Sequence, residues 1–480
     1  MSSDTTPKAP LTNAALASLP KAVIKPCYQR QTIKTGIVHL GPGAFHRAHQ
    51  AAYIDSLLAT DNRWGICGVS LRSASLKAAL GQQDNLYTLA IQEREPRYRV
   101  IGAFSELLAA PADNAAILAR MASPDTHLVT LTVTEKGYCL DGSGLDWQHP
   151  DIQADLADID NPVSAIGFLV AALKRRFNQG TLGLTVLSCD NLSDNGHKLK
   201  SAVLAMAQYL DPALSQWITH HVAFPCCMVD AITPASDAAL KADVAATLGV
   251  GDAWPIKREA FCQWVIEDNF SGPKPALDKV GVTFTGNVAP YEQAKLRLLN
   301  GTHSALAYLG SLLGLETVYD AINQPALAFF IEALVSEEIA PSLSVPDALD
   351  INAYASAIIE RYRNPYIRHL LAQIAWDGSQ KLPFRLLATV KDNLKQGRSI
   401  KRLCVAVAAW LHFIQRQRQC GGKVVDPIAP SLLACETVAD FLALTSVFGE
   451  LADNPVFIAE LHAAYQRLAG MTLATAKLHL

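Results

Sequence analysis

The chain has almost no excess of charge of either sign: 41 Lys and Arg stand against 44 Asp and Glu, a formal charge of −3 over 480 residues. A nucleic-acid binder needs a basic surplus to neutralise phosphates, so that class is excluded. Only 18% of residues are charged and half are hydrophobic, which excludes global disorder and permits a large buried core. Long apolar runs are also missing. Ser164–Leu173 and Cys404–Ile414 fall short of the roughly 20 residues that span a bilayer, and Gly167 and His412 interrupt them. Both read as buried helices, and no membrane partner is expected. The N-terminal MSSDTTPKAPLTNAALASLPKAVIKP has no apolar core behind a basic start, so no secretory signal is expected. The ten cysteines form no CxxC pair, and Cys226 and Cys227 are adjacent. That scatter predicts free thiols in a reducing cytoplasm, with no disulfide framework, no zinc site built from cysteine pairs and no metal. No GxxxxGK[ST] segment follows the first strand candidate, which argues against P-loop phosphoryl transfer. What remains is a protein of two or three domains acting on a small molecule.

Turning to what is present, residues 1–30 read as a loose arm with one short helix around Asn13–Ser18. Thr35–Leu40 (TGIVHL) is a β-branched run that ends in Gly41-Pro42-Gly43, and a helical pattern, Ala44–Leu58, follows at once. Strand, glycine turn and helix make the opening unit of a dinucleotide-binding sheet. Further strands are expected at Gly65–Leu71, Leu128–Val133 and Leu182–Ser188, apolar runs of the kind buried in parallel sheets. Beyond about residue 285 the pattern turns helical, with long stretches at Pro325–Glu338, Ala353–Tyr362 and Ser399–Gln417. The fold class is therefore an α/β Rossmann-type domain over 1–285, followed by a mainly α-helical domain over 286–480, with substrate expected in the cleft between them.

Three constellations carry chemistry. In Gly41-Pro42-Gly43-Ala44-Phe45-His46-Arg47 the glycines allow a tight turn and let backbone N–H groups approach a pyrophosphate at a helix start. The third glycine of the usual fingerprint is replaced by His46, and an ordinary tight turn is the alternative. Arg47 is either a phosphate contact or a solvated surface arginine. The acidic residue that normally holds the ribose of NAD after the second strand is absent. Leu71-Arg72-Ser73 stands there instead, and Arg72 with its serines would tolerate a 2′-phosphate, so NADP stays open beside NAD. The second constellation is Lys295-Leu-Arg-Leu-Leu-Asn300-Gly-Thr-His303. On an α-helix begun at Lys295, Asn300 lies about 140° and His303 about 80° around the axis, so amine, amide and imidazole share one wide arc. A lysine held against leucine surface becomes a better base, and an amide can donate to an alkoxide. An amphipathic helix with a snorkelling lysine and a satisfied core histidine is the bland alternative. Third, Asp190-Asn191 ends the fourth strand candidate. It offers an amide donor, or Asp190 is a helix N-cap, and Asn195-Gly196 reads as a turn. Asp377–Pro383 (DGSQKLP) breaks the helical pattern as a polar, lysine-bearing loop, either facing the cleft or merely joining two helices.

Taken together, these motifs resemble the mannitol dehydrogenase family, the polyol-specific long-chain dehydrogenases and reductases. The markers are Ile37–Gln50, Thr132–Cys139, Ser188–Asn191, Gln263–Phe270, Lys295–His303 and Asp377–Pro383, in order from about Gly36 to the C-terminus. The resemblance implies a zinc-independent NAD enzyme, monomeric or a weak homo-oligomer. It makes Lys295 the general base that takes the proton from a C2 hydroxyl. Asn191 and Asn300 become the amides that hold the alkoxide, and His303 the residue that positions the substrate hydroxyl. Asp230 and Lys381 correspond to family positions that contact substrate, and Ile37–Ala48 to the nucleotide-binding segment. The missing acidic residue after the second strand departs from the strictly NAD-specific members.

The implied substrate is a sugar alcohol or a sugar acid. Asn364-Pro-Tyr-Ile-Arg368-His369 and the segment Gln373–Pro383 resemble the branch that interconverts D-mannonate and D-fructuronate, and Arg368 and Arg385 add positive charge near Lys381. Gly65–Ser73 instead resembles the mannitol 2-dehydrogenases, which act on D-mannitol and D-fructose. The expected reaction is thus NAD-dependent oxidation and reduction at C2 of a hexonate or hexitol, the hexonate preferred. A non-catalytic nucleotide-bound sensor is the alternative from another class.

Overall fold

Thr35–Leu40 is β-branched at Thr35, Ile37 and Val38 and buried along nearly its whole length, and it forms the central strand, β1. The computed structural model describes residues 8–344, 349–476 and 480; the first seven residues of the expected arm lie outside these. The chain divides into two compact units, Met1–Val288 and Ala289–Leu480.

In the first unit β1 is flanked by Gly65–Ser70 (β2), Phe104–Ala109 (β3), Leu128–Leu131 (β4) and Thr185–Ser188 (β5), in the order β3-β2-β1-β4-β5. Every pairing is parallel. Leu40 stands opposite both Val69 and Leu131, so the carboxyl ends of β1, β2 and β4 finish level. This is the doubly wound order, and its switch point lies where β1 passes to β4. Alternation along β1 supplies a core on each face. Val38 and Leu40 join Val129, Val186, Leu118, Phe168 and Val203 on one side. Ile37 joins Ile66, Leu128, Ala51, Ile54 and Leu57 on the other. β3 has no counterpart among the expected strands, because Ser105 and Glu106 interrupt its apolar run and it closes one edge of the sheet.

Among the described residues, two three-stranded sheets and a two-stranded one, Leu140–Asp141 with Gly144–Leu145, extend this unit. Ile256–Glu259 pairs parallel with Tyr87–Gln92, which pairs antiparallel with Arg97–Ile101. Cys227–Asp230 pairs antiparallel with Gln263–Glu267, itself parallel to Thr283–Thr285. From residue 8 on, the expected loose arm is tied down: Leu11, Leu19 and Val23 are buried with Leu86, Val100 and Leu240, and the Leu11 N–H donates to Gly251 O at 2.9 Å.

The second unit is helical. Its longest helix, Lys401–Cys420, buries a continuous stretch from Leu403 to Leu411 and packs on Thr302–Leu312 and Pro455–Leu468. Among the described residues three segments are π-helical: Lys295–Gly301, Leu334–Ile339 and Pro383–Leu387. Single π turns inside longer helices recur at functional sites, since they re-aim side chains at the cost of regular bonding. Asp377–Pro383 is a helical start rather than a connecting loop: Asp377 takes φ +55°, Gly378–Leu382 is α-helical, and the run continues into Pro383–Leu387. Proline is tolerated inside it because the α pattern, which would need its missing N–H, gives way there to the π turn. Among the described residues no helix is long and apolar enough to cross a membrane.

Candidate functional site

The glycine turn sits at the carboxyl end of β1. Gly41 has φ +85°, and a Cβ on it would lie 2.4 Å from Thr132 O, so only glycine fits. Thr132, just past β4, donates its hydroxyl to Gly41 O at 2.7 Å and also meets the ring of His39 at 2.9 Å. His39 is fully buried, and its other ring nitrogen meets the Thr130 hydroxyl at 2.6 Å. Burial lowers its pKa to about 3, so the ring is neutral. Gly43 differs from Gly41. Its φ of −70° suits any residue, and nothing nearer than Gly41 O at 3.9 Å would meet its Cβ. The protein itself gives no reason for glycine at 43; an open cradle that a Cβ would fill does, and it fits the close approach of a pyrophosphate. Ala44 and Phe45 are half-buried beside it.

Two neighbours are placed otherwise than the sequence suggests. His46 is 1% exposed and stacks on His39 with ring centroids 3.4 Å apart. Burial, then the nearby His39, Arg47 and His49, hold its pKa well below the ordinary value. Arg47 is 2% exposed; it donates to Trp254 O at 2.8 Å and lies over the rings of Tyr87 and Trp254. Both side chains brace the turn from within, which corrects the reading of Arg47 as a phosphate contact or a solvated surface residue. The helix also breaks at His49 into Ala44–Ala48 and Gln50–Leu57, where the His49 ring is anchored on Gln263 O at 2.8 Å.

Arg72, two residues past β2, is exposed and pairs with Asp151 at 2.5 Å. Asp151 lies on the helix Pro150–Ala157, so the fold brings a carboxylate to the position where the sequence shows only a cation.

At the end of β5, Asp190 accepts from the N–H groups of Val133 (3.0 Å) and Thr134 (2.8 Å) and from the Tyr138 hydroxyl (2.7 Å). It therefore ties the ends of β4 and β5 together rather than capping a helix, and it fixes the backbone that presents the exposed Asn191. Burial raises its pKa, and the Tyr138, Val133 and Thr134 bonds oppose that rise. Asn195 opens the helix Asn195–Leu210 instead of a turn. Its buried amide donates to Cys227 O (2.8 Å) and accepts from the Cys227 N–H (3.0 Å), pinning the strand that ends at the buried Asp230. Tyr138 and Asn195 were not among the expected residues, and only the tertiary contacts reveal them. The structure also gathers two Cys/His/Asp groups that the linear cysteine scatter does not show, Cys139–His149–Asp151 and Asp194–His197–Cys226. Each is already engaged: Asp151 with Arg72, and His197 with Asp194 at 2.5 Å.

In the second unit the π turn Lys295–Gly301 runs directly into Thr302–Leu312. Because π bonds run i→i+5, Lys295 and Asn300 come closer to one face than the 140° of an α-helix allows. Tyr362 supports the irregular turn, its hydroxyl donating to Leu299 O at 2.8 Å and meeting Thr302 Oγ1 at 2.7 Å. Lys295 is buried, and Asn300 is half-buried. His303 is buried among the rings of Tyr362 (4.5 Å) and His369 (5.1 Å), and its Nε2 has no hydrogen-bond partner among the described residues. Burial, followed by His369, Arg361 and Arg385, holds it well below the ordinary histidine range, so it is neutral at pH 7.

Gly301 is required here: a Cβ would lie 2.9 Å from Arg385 O, so the π turns Lys295–Gly301 and Pro383–Leu387 approach backbone to side. That contact places Lys381 and Arg385 beside the base-bearing run. Lys381 donates to Trp376 O at 2.5 Å, and burial, then Arg385, lowers its pKa. Arg368 lies elsewhere. Its side chain is 69% exposed and paired with Glu316 at 2.5 Å, which corrects its assignment to a substrate pocket.

Both units match known proteins. Residues 35–279 match the mannitol dehydrogenase Rossmann domain, and residues 287–469 match the mannitol dehydrogenase C-terminal domain. D-mannonate oxidoreductase of Escherichia coli K12 is 45% identical over 93% of this chain and 96% of its own. A mannitol 2-dehydrogenase of Cereibacter sphaeroides is 41% identical over 93% and 96%. Among solved structures, the Pseudomonas fluorescens mannitol 2-dehydrogenase ternary complex with NAD and D-mannitol superposes with a TM-score of 0.84 at 36% identity, covering 98% of this chain and 99% of the other. A substrate-free D-sorbitol dehydrogenase reaches 0.91 at 32% identity, covering 97% and 99%. With both of its units matched along most of their length, the chain belongs to the mannitol dehydrogenase family.

Proposed function

We propose that this protein is an NAD(H)-dependent oxidoreductase that interconverts D-mannonate and D-fructuronate, acting on the secondary alcohol next to the terminal hydroxymethyl group. The observation that carries the reading is the run Lys295–His303. A buried lysine, a half-buried amide and a neutral imidazole with an unpaired nitrogen follow one another through a π turn that Gly301 and Tyr362 hold in place. Lys295 accepts the hydroxyl proton, Asn300 and Asn191 donate to the developing alkoxide, and His303 orients the hydroxyl. Asp230 and Lys381 hold the remaining hydroxyls. The hydride chemistry is supplied by the nicotinamide of bound NAD(H). Gly41, Gly43 and the adjoining backbone of Ala44 and Phe45 would hold its pyrophosphate. Asp151 beside Arg72 supports NAD over NADP; an exposed pair is worth under about 1 kcal/mol, so it biases that choice without fixing it. Identity of 45% with a D-mannonate oxidoreductase supports the acid substrate.

A second reading, interconversion of D-mannitol and D-fructose, is favoured by the mannitol 2-dehydrogenases among the relatives and solved structures. Following NADH absorbance over a panel of ketohexoses and keto-uronates decides between them. Faster turnover of fructuronate is expected, a strong preference for fructose selects the second reading, and no absorbance change with any substrate leaves a nucleotide-bound sensor.

A further inference from the structure

We infer that Arg385 receives the carboxylate of the substrate and so sets selectivity for a sugar acid over a neutral sugar. The inference rests on the dehydrogenase reading above. Arg385 is half-buried on the π turn Pro383–Leu387, and its one hydrogen bond within the described residues goes to the neutral Ser304 hydroxyl at 3.1 Å. No carboxylate among the described residues pairs with it. Of the other arginines in this unit, Arg297, Arg363, Arg368, Arg402 and Arg418 each meet an aspartate or glutamate, whereas Arg416 donates to the backbone oxygens of Ser311 and Leu312. A guanidinium does not shed its proton, and a partly buried charge without a counter-ion is costly, so the site is completed by an anion. The planar fork with free donors matches a carboxylate in two parallel bonds.

The position suits that role. Ser304 adjoins His303, whose Nε2 is an orphan, and His369 Nδ1 nearby is another, so two imidazole nitrogens here are without a partner among the described residues. Ser304 lies nine residues beyond Lys295 on one continuous helical run, about 13 Å along the axis at the α-helical rise and less through the π turn. A hexonate with its reacting hydroxyl near one end and its carboxylate at the other, plus a hydrogen bond at each end, spans on the order of 10 Å. A hexitol of the same length brings no charge to Arg385.

The test measures kcat/KM for D-fructuronate, D-fructose and D-fructose 6-phosphate, by NADH consumption, in the wild type, Arg385→Gln and Arg385→Lys. In Arg385→Gln the fructuronate-to-fructose ratio is expected to fall on the order of 10- to 100-fold, as loss of charge-assisted bonds predicts, with the change mainly in KM. Arg385→Lys, which keeps the charge without the fork, should give an intermediate ratio and carries the test if the glutamine variant does not fold. Equal losses on both substrates would mark Arg385 as structural and overturn the inference. A wild-type preference for fructose 6-phosphate would overturn the carboxylate in favour of a phosphate. A wild-type preference for fructose would overturn the inference together with the mannonate assignment while leaving the dehydrogenase reading intact. Absence of turnover with every substrate would remove that reading itself.

Discussion

Replacing Gly43 with alanine separates folding from dinucleotide binding, because the two glycines of the turn are glycine for different reasons. At Gly43, φ is −70° and the new Cβ meets nothing closer than 3.9 Å. A Gly→Ala change at such a compatible site stabilises the fold by about 0.4–1 kcal/mol, through the unfolded chain. The same methyl group stands in the open cradle where backbone N–H groups would meet a pyrophosphate. Losing one charge-assisted hydrogen bond there costs about 1.5–3 kcal/mol, or on the order of 10- to 100-fold in the Kd for NADH. Gly41→Ala is the contrasting control. It must hold a left-handed backbone, at about 1–2 kcal/mol, and must push Thr132 O back from 2.4 Å, so it should destabilise the apo protein outright. Urea unfolding without cofactor and a fluorescence titration with NADH report the two quantities separately. Wild-type NADH affinity in a folded Gly43→Ala protein would refute the placement of the pyrophosphate.

Three further outcomes are expected. Lys295→Ala should nearly abolish turnover at neutral pH while NADH still binds, and Asn300→Ala should lower kcat by 10²–10³-fold, about 3 kcal/mol; near-normal steady-state rates in the lysine variant would remove it from the mechanism. His39 is buried neutral with its pKa lowered to about 3. The unfolded chain therefore takes up a proton below about pH 6.5 that the folded chain refuses, and stability falls with acidification at up to about 1.4 kcal/mol per pH unit, down to about pH 3. Urea unfolding at pH 7 and pH 5.5 should show that loss, and His39→Gln should flatten the slope; an unchanged slope would show that His39 is protonated in the fold. Asp190→Asn turns an acceptor of three hydrogen bonds into a group that partly opposes them. It should cost about 1–3 kcal/mol of stability and lower kcat through Asn191, and wild-type values of both would dismiss the brace.

Much of the architecture was legible because the parallel strands are apolar on both faces, and such runs stand out without any knowledge of their partners. β1, β2, β4 and β5 fall inside the expected ranges, whereas β3 carries Ser105 and Glu106 at a sheet edge and gives no such signal. The glycine turn and the order Lys295, Asn300, His303 were also visible, since local backbone constraints and short spacing are properties of neighbouring residues. The sequence misleads where a side chain has two destinations. Arg47 and Arg368 look alike as exposed cations, yet one is buried over Tyr87 and Trp254 and the other is held at the surface by Glu316. Neither outcome is encoded within a few residues of the arginine.

By itself, then, the sequence determined the class of fold, the family, and which residue types are available for proton transfer and alkoxide binding. These follow from periodicity, burial propensity and short motifs. Only the tertiary structure decided that Lys295–Gly301 is a π turn, that Asp190 and Asn195 tie strand ends together, that Asp151 stands beside Arg72, and that Arg385 rather than Arg368 lacks a counter-charge. Each of these depends on which distant residues meet, through hydrogen bonds and ion pairs that form between segments far apart along the chain.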